Sequence, residues 1–298
     1  MQIWRSLDEV PADLGPTAVV IGNFDGVHLG HRHVVARARE ISAERDLTVV
    51  AVTFDPHPMA VLRPEHAPTT LTSLEVRADL LADAGADAML ALPFDRDVAA
   101  WTPEQFVERV LVDCLRATAV VVGANFRFGS RAAGDVATLR EAGSRLGFSA
   151  EGIPLDGGPM VWSSTYVRTC LAAGDVAGAA EALGRPYAVR GVVVRGDQRG
   201  RELGYPTANV PTSGMLAVPP DGVYAGWLRR LDQPASALLP AAISVGTNPT
   251  FEGERERRVE AYVLDRDDLE LYGVEVEVSF VARIRGMVRF DSVDDLVV

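Results

Sequence analysis

The stretch Val20-Ile21-Gly22-Asn23-Phe24-Asp25-Gly26-Val27-His28-Leu29-Gly30-His31 decides how the rest of the chain is read. Ahead of it, the apolar run Ala18 to Ile21 has the length and composition of a buried strand. Behind it, from near His31, the residues Val34, Val35, Ala38 and Ile41 recur at helical spacing, with Arg37, Arg39 and Glu40 on the opposite face. The pattern predicts a strand, a glycine-rich turn and a helix start. In α/β folds this junction binds phosphates, because a helix N-terminus presents unpaired N–H groups to the loop. Gly22, Gly26 and Gly30 permit close backbone approach, and Phe24 lies within the same turn. His28 and His31 add donors for phosphate oxygens that gain charge during displacement.

Working outward, the first half alternates strands with helices. Leu47 to Phe54 reads as a second buried strand, ending in Thr53-Phe54-Asp55-Pro56-His57-Pro58, which is either a rigid binding loop or a plain turn. Ser73 to Ala84 reads as a helix capped by Ser73, Met89 to Leu92 as a strand, and Pro103 to Leu115 as a helix capped by Thr102. Ala119 to Val122 is a strand running into Gly123-Ala124-Asn125-Phe126-Arg127-Phe128-Gly129. Asp135 to Leu146 is helical, and Phe148 to Ile153 is a further strand. This alternation predicts a parallel sheet wrapped by helices, with ligands beyond the carboxyl ends of the strands. Next, Ser163, Ser164 and Thr165 cap a helix whose first turn carries Arg168. This is an ordinary N-cap or a phosphate site, and both readings fit the pattern. Asp175 to Leu183 adds a small helix, and Gly184-Arg185-Pro186 marks a domain boundary, giving domains 1–184 and 185–298.

From Tyr187 the pattern changes to short strands: Arg190 to Arg195, Gly222 to Leu228, Ala241 to Val245, Arg258 to Leu264 and Val274 to Ile284. A small antiparallel barrel or sandwich is expected, with a terminal helix over Ser292 to Val298. Gly191 and Gly196 have P-loop spacing, but Asp197 and Gln198 follow where Lys and Ser/Thr would stand. A glycine-rich flap with Gly196, Gly200 and Arg201 is still able to wrap nucleotide phosphates with backbone donors. Thr207 and Asn209, two apart on an extended segment, share one face and offer two neutral oxygens. They suit a Mg²⁺ ion that retains phosphate and water ligands, or form a polar strand edge. Glu260 falls within a predicted strand, between Val259 and Ala261, where a carboxylate calls for a partner. Gly246 to Phe251 forms a loop on the substrate side.

Composition narrows the chemistry. The net charge is −12, which argues against a general nucleic-acid coat. No lysine occurs, so all 29 basic residues are arginines, which excludes a Walker A P-loop and the protein-kinase lysine. Phosphoryl chemistry here must rest on metal, arginine, histidine or backbone N–H groups. No apolar run approaches the roughly 20 residues of a membrane span, and a start carrying Asp8 and Glu9 lacks a secretion signal. Cys114 and Cys170 form no CxxC pair, so a reduced cytoplasmic protein is expected. No feature marks an oligomer.

Taken in order, GNFDGVHLGH (Gly22–His31), TFDPHP (Thr53–Pro58), GANFRFG (Gly123–Gly129), SSTYVR (Ser163–Arg168), GRELGYPTANV (Gly200–Val210), GVYAG (Gly222–Gly226) and GTNPTF (Gly246–Phe251) resemble the bacterial bifunctional riboflavin kinase/FAD synthetases over nearly the whole chain. The resemblance implies an N-terminal Rossmann-like nucleotidyltransferase domain with a parallel sheet and a C-terminal antiparallel β-barrel. It implies small-molecule partners: riboflavin, FMN, FAD and ATP, with Mg²⁺ as cofactor. The second domain would phosphorylate riboflavin, and the first would transfer AMP from ATP to FMN. By the same resemblance Thr207 and Asn209 hold the metal-nucleotide, and Glu260 accepts the ribityl hydroxyl proton. His28 and His31 stabilise the α-phosphate. Ser164, Thr165 and Arg168 bind phosphates, and Asn125 and Arg127 line the flavin side. Position 125 is Asn where many members have Asp, and Trp162 replaces a smaller residue.

Three rival readings are weighed against this one. One domain could survive only as a regulatory binder, although both residue sets are intact. A flavin sensor without turnover would not call for Glu260. A transition-metal site from His28, His31, His33 and His57 is the third, and Gly30 at a helix start favours phosphate instead.

Overall fold

The computed structural model describes residues 1–154, 162–195, 206–233, 236–247, 257–266 and 268–287. The chain clusters into two compact units, Met1–Ser164 and Thr165–Val298. In the first, six strands form one parallel sheet: β1 (Gln2–Trp4), β2 (Thr17–Ile21), β3 (Thr48–Asp55), β4 (Ala88–Pro93), β5 (Ala117–Gly123) and β6 (Ser149–Ile153), in the order β1-β4-β3-β2-β5-β6. Its helices are α1 (Leu29–Arg45), α2 (Pro58–Leu62), α3 (Leu74–Ala84), α4 (Arg96–Ala99), α5 (Pro103–Phe106) and α6 (Val136–Leu146).

Successive strand residues point to opposite faces, so a sheet covered by helices on both sides has two cores. Val19, Ile21, Val50, Val52, Leu90 and Val122 pack with Phe106, Leu111 and Leu139 on one side. Ala18, Val20, Val49, Ala51, Met89 and Val121 pack with Val34, Val35, Ile41 and Leu81 on the other. The connections after β2 lead to β3 on one side, while β5 pairs with β2 on the other. The strand order therefore reverses at β2, and the Gly22–His31 motif leaves the carboxyl end of that strand.

The helix expected over Pro103 to Leu115 is present, but not uniformly α-helical. Thr102 and Gln105 form a reciprocal capping box, and after Phe106 the backbone widens into a π-helix, Val107–Cys114. The three-residue β1 was not legible in the sequence; pairing with β4 creates it.

The second unit begins with α7 (Ser164–Ala173, whose first residue closes the first unit) and α8 (Val176–Leu183). Six antiparallel strands follow: β7 (Tyr187–Val192), β8 (Thr207–Pro211), β9 (Gly222–Arg230), β10 (Leu239–Thr247), β11 (Arg257–Val263) and β12 (Glu275–Arg285), in the order β7-β12-β9-β10-β11-β8. The sheet curls until its edges meet: the Val194 N–H, just past β7, donates to the Asn209 carbonyl on β8 at 2.9 Å. Of the two expected forms, barrel or sandwich, the sheet takes the barrel-like one. Its interior holds Val189, Val210, Tyr224, Leu228, Ile243, Val259, Val276 and Phe280, with Tyr224 edge-on to Phe280. Gly226 permits the tight crossing of β9 and β12, since a Cβ there would overlap the Ser279 carbonyl. The expected helix over Ser292 to Val298 lies outside the described residues.

Candidate functional site

After β2, the Gly22 N–H still pairs with the Val52 carbonyl, and the chain then turns through three residues with positive φ: Phe24, Gly26 and Val27. Two of these carry side chains, a strained arrangement that persists only where surroundings enforce it. The enforcement is visible. Phe24 and Val27 are buried, and the buried Asp25 carboxylate accepts from the N–H groups of Leu71 and Thr72 and from the Thr72 hydroxyl. Arg77 of α3 lies 3.6 Å from Asp25 and donates to the Thr53 hydroxyl at 3.2 Å. Thr53 in turn donates to the Asn23 carbonyl at 3.0 Å. Removing one partner of such a buried pair typically costs about 3–5 kcal/mol, so the turn is firmly set.

The helix starts at Leu29, two residues earlier than His31, and this makes His28 the N-cap: its Nδ1 accepts from the His31 N–H at 3.4 Å. The two imidazoles stack with centroids 3.6 Å apart, and His31 meets the Phe24 ring edge-on at 5.1 Å. Burial, then the neighbouring His28 and Arg77, hold His31 well below the ordinary histidine range. It is thus neutral near pH 7, and its buried Nδ1 has no hydrogen-bond partner among the described residues. Gly30 leaves room for the His28 ring, since a Cβ there would approach it to 3.1 Å. His57 caps α2 through Nδ1, and its Nε2 is 3.2 Å from the Asn23 amide.

The Ser164 hydroxyl donates to the Asp25 carbonyl at 2.8 Å, both residues belonging to the first unit. Because α7 begins at Ser164, Thr165 lies inside the helix rather than capping it, and Arg168 is the fifth helical residue rather than a first-turn one. Both belong to the second unit. Asn125 is exposed in the turn after β5; Arg127 is exposed and ion-paired with Asp135 at 3.2 Å. Beside them Phe126 stacks on Phe128, which touches Phe106 and, through it, Phe54. Among the described residues no group of three or more His, Cys, Asp or Glu could hold a metal ion.

In the second unit, strand alternation sends Ala208, Val210, Val259 and Ala261 into the core and turns Thr207, Asn209 and Glu260 to the other face. Register places Glu260 opposite Asn209 and Tyr262 opposite Thr207. The Asn209 amide is 3.4 Å from the Thr207 hydroxyl. Ser244, on the other side of Glu260 in the same register row, shares that face. Adjoining Thr207 is a cavity of about 240 Å³ lined in part by Val193, Pro206, Ala208, Ala261, Arg266 and Tyr272. Gly196, Gly200 and Arg201 lie outside the described residues, as does the loop from 248 to 251.

Sequence reasoning missed Asp25, Thr53, Arg77 and Ser244. Arg77 had a readable signal, standing on the apolar stripe of α3 with Leu74, Ala78 and Leu81 where a cation needs a buried partner. Ser244 had none, since only strand register reveals it.

An FAD synthetase family model matches residues 10–158, and a riboflavin kinase model matches residues 183–298. A bifunctional riboflavin kinase/FMN adenylyltransferase from Escherichia coli (strain K12) is 39% identical over 280 residues, covering 93% of this chain and 87% of the relative. The protein of that name from Bacillus subtilis (strain 168) is 32% identical over 283 residues, covering 94% and 88%. A crystal structure from Streptococcus pneumoniae, described as a macrolide-efflux protein, is 31% identical with a TM-score of 0.85 over 99% of this chain and 94% of that one. Among the described residues no helix is long and apolar enough to cross a membrane. With both halves matched in this order, the chain belongs to the bifunctional riboflavin kinase/FMN adenylyltransferases, transferases that join an N-terminal FAD synthetase to a C-terminal riboflavin kinase.

Proposed function

We propose that Glu260, Thr207 and Asn209 carry riboflavin phosphorylation, and that His28 and His31 carry the adenylylation of FMN. In the first reaction the terminal ribityl hydroxyl attacks the γ-phosphorus of ATP. The bond to ADP breaks, and the hydroxyl proton passes to the Glu260 carboxylate. The observation that carries this assignment is the register of Glu260 opposite Asn209, with Thr207 on the same face. Thr207 and Asn209 would hold Mg²⁺, and two neutral side chains two apart on one face of β8 fit a cation that arrives with a nucleotide. When bound, Mg²⁺ neutralises charge developing on the phosphates. The cavity beside Thr207 takes the nucleotide base, and Gly196, Gly200 and Arg201 keep their phosphate assignment from the sequence.

In the second reaction an FMN phosphate oxygen attacks the α-phosphorus of ATP and pyrophosphate leaves, so no protein nucleophile is needed. His28 and His31 donate hydrogen bonds to the α-phosphate as its charge grows. Gly22, Phe24 and Gly30 shape the backbone there. Ser164 supports the turn through its hydroxyl, while Thr165 and Arg168 keep their phosphate assignment from the sequence motif they share with it. Asn125 and Arg127 line the flavin side, supported by the aromatic side chains of Phe126 and Phe128 next to them.

The functional division falls at 1–184 and 185–298. The same reading places the enzyme in the cytoplasm, supported by two cysteines that form no disulfide. The test is a product assay with purified protein, riboflavin, ATP and Mg²⁺, the flavins being separated by chromatography. FMN followed by FAD is expected. FMN that never proceeds to FAD would overturn the roles given to His28 and His31, and FAD only from supplied FMN would overturn those of Glu260, Thr207 and Asn209.

A further inference from the structure

We propose that Arg77 is a positioning residue for adenylyl transfer: by bridging Asp25 and Thr53, it fixes the turn from which His28 and His31 are presented. The inference rests on the assignment of those histidines above. The turn from Asn23 to Val27 has three consecutive-region residues at positive φ, which local sequence preference alone would not hold. Several of its polar groups are tied to neighbouring elements. Asp25 binds the Leu71 and Thr72 N–H groups, Gly26 N–H donates to the Thr72 hydroxyl at 3.2 Å, and Thr53 holds the Asn23 carbonyl. Arg77 contacts two of these ties at once, reaching Thr53 with one terminal nitrogen and Asp25 with the other. It is only 6% exposed, so its charge acts through protein rather than water.

That charge also reaches the chemistry. Among the described residues, the titratable and charged groups acting on His31 are His28 at the start of its own helix and Arg77 from α3, with Asp25 beside Arg77. A guanidinium near His31 disfavours a second proton on its imidazole, as does burial. A neutral imidazole donates one hydrogen bond in a fixed tautomer, and a phosphate contact that must be made in one geometry needs that constancy. Arg77 therefore fixes where His31 sits and adds to the burial and the His28 ring that already keep its imidazole neutral.

The test compares variants of the full-length protein in two assays: FAD from supplied FMN, and FMN from riboflavin. Arg77→Met is expected to lose about 100-fold in kcat for FAD formation, the scale of an ångström-sized misplacement, with KM for ATP and FMN little changed. Its acid limb should move to higher pH, because the cation opposing protonation of His31 is gone. Arg77→Lys, which keeps the charge but cannot fork to two partners, should retain the parent acid limb and recover part of the rate. Thr53→Val cuts the link to Asn23 while leaving Arg77, so it should lower kcat with the acid limb unmoved. FMN formation from riboflavin should stay at the parent rate in all three.

Parent rate and pH profile in Arg77→Met would overturn the proposal, as would a loss confined to KM. If Arg77→Met loses its folded circular dichroism, parent kcat in both Arg77→Lys and Thr53→Val overturns it instead. His31→Ala, measured alongside, separates the two levels. Full adenylylation by that variant sinks the histidine assignment itself; its loss there, with none in the Arg77 and Thr53 variants, sinks only the role of Arg77.

Discussion

The His28 imidazole lies against Gly30 so closely that a methyl group on residue 30 would stand 3.1 Å from its Cε1 and 3.2 Å from its Nδ1. The capping atom belongs to the ring proposed to bind the α-phosphate, so any shift of the ring also disturbs the start of α1. Gly30→Ala should therefore reduce FAD formation about tenfold or more through misplacement of the ring. Its melting temperature should change little, because the preference of alanine over glycine in a helix, up to about 1 kcal/mol, offsets the disturbed cap. Parallel activity and melting measurements check this; a parent rate of FAD formation would show that the ring has room to move.

Glu260→Gln should lower FMN formation from riboflavin by about 100-fold or more, the usual scale for a lost general base. FMN-to-FAD conversion should be unchanged. His28→Ala should give the complementary result, with FMN accumulating and no FAD. Chromatography of both products from the same reaction separates the two cases, and a single variant that loses both products would mean the sites are not independent.

The depressed pKa of His31 makes a prediction about stability. Unfolded, the ring takes up a proton near its ordinary value of 6.5; folded, burial and the charges of His28 and Arg77 delay this to much lower pH. Between those two values the native state binds fewer protons than the unfolded one, so stability rises with pH. The contribution is complete above the unfolded value and is lost as pH falls toward the folded one. His31→Gln should show a shallower decline in melting temperature than the parent from about pH 7 to about pH 5.5, the range where a histidine titrates. An equal decline in both proteins would assign the acid sensitivity to other groups.

Thr207→Val preserves shape and strand preference while deleting one neutral oxygen next to Asn209. The Mg²⁺ concentration that gives half-maximal FMN formation should rise, with FAD formation from supplied FMN unmoved. A magnesium titration of each activity reads this directly, and an unchanged titration would remove Thr207 from the metal site.

The parallel sheet was legible because Ala18, Val19, Val20 and Ile21 are apolar without alternation, as a strand buried on both faces requires. The barrel was legible for the opposite reason, in the alternation of Val276, Val278 and Phe280 with polar neighbours. What escaped depends on contacts distant in sequence. The π-helix over Val107–Cys114 has no local signature that separates it from α-helix, and the three residues of β1 are too few for a pattern. Thr207, Asn209 and Glu260 could be singled out individually, but only the β8–β11 register sets Asn209 opposite Glu260 and brings Ser244 into the same row. The start of α1 moved to Leu29 because His28 performs a capping role that serine or aspartate usually fills, and residue preference therefore points elsewhere.

The seam of the barrel runs through Asn209, whose carbonyl receives the Val194 N–H while its side chain lies beside Thr207. One residue thus divides its labour: main chain for architecture, amide for the proposed metal-nucleotide site. Side-chain substitutions at 209 leave the seam hydrogen bond intact, so chemistry at this position is free to diverge without reopening the barrel. Conversely, the exchange rate of the Val194 amide hydrogen becomes a spectroscopic gauge of the kinase half, slowing whenever a ligand steadies Asn209 and needing no label on the ligand itself.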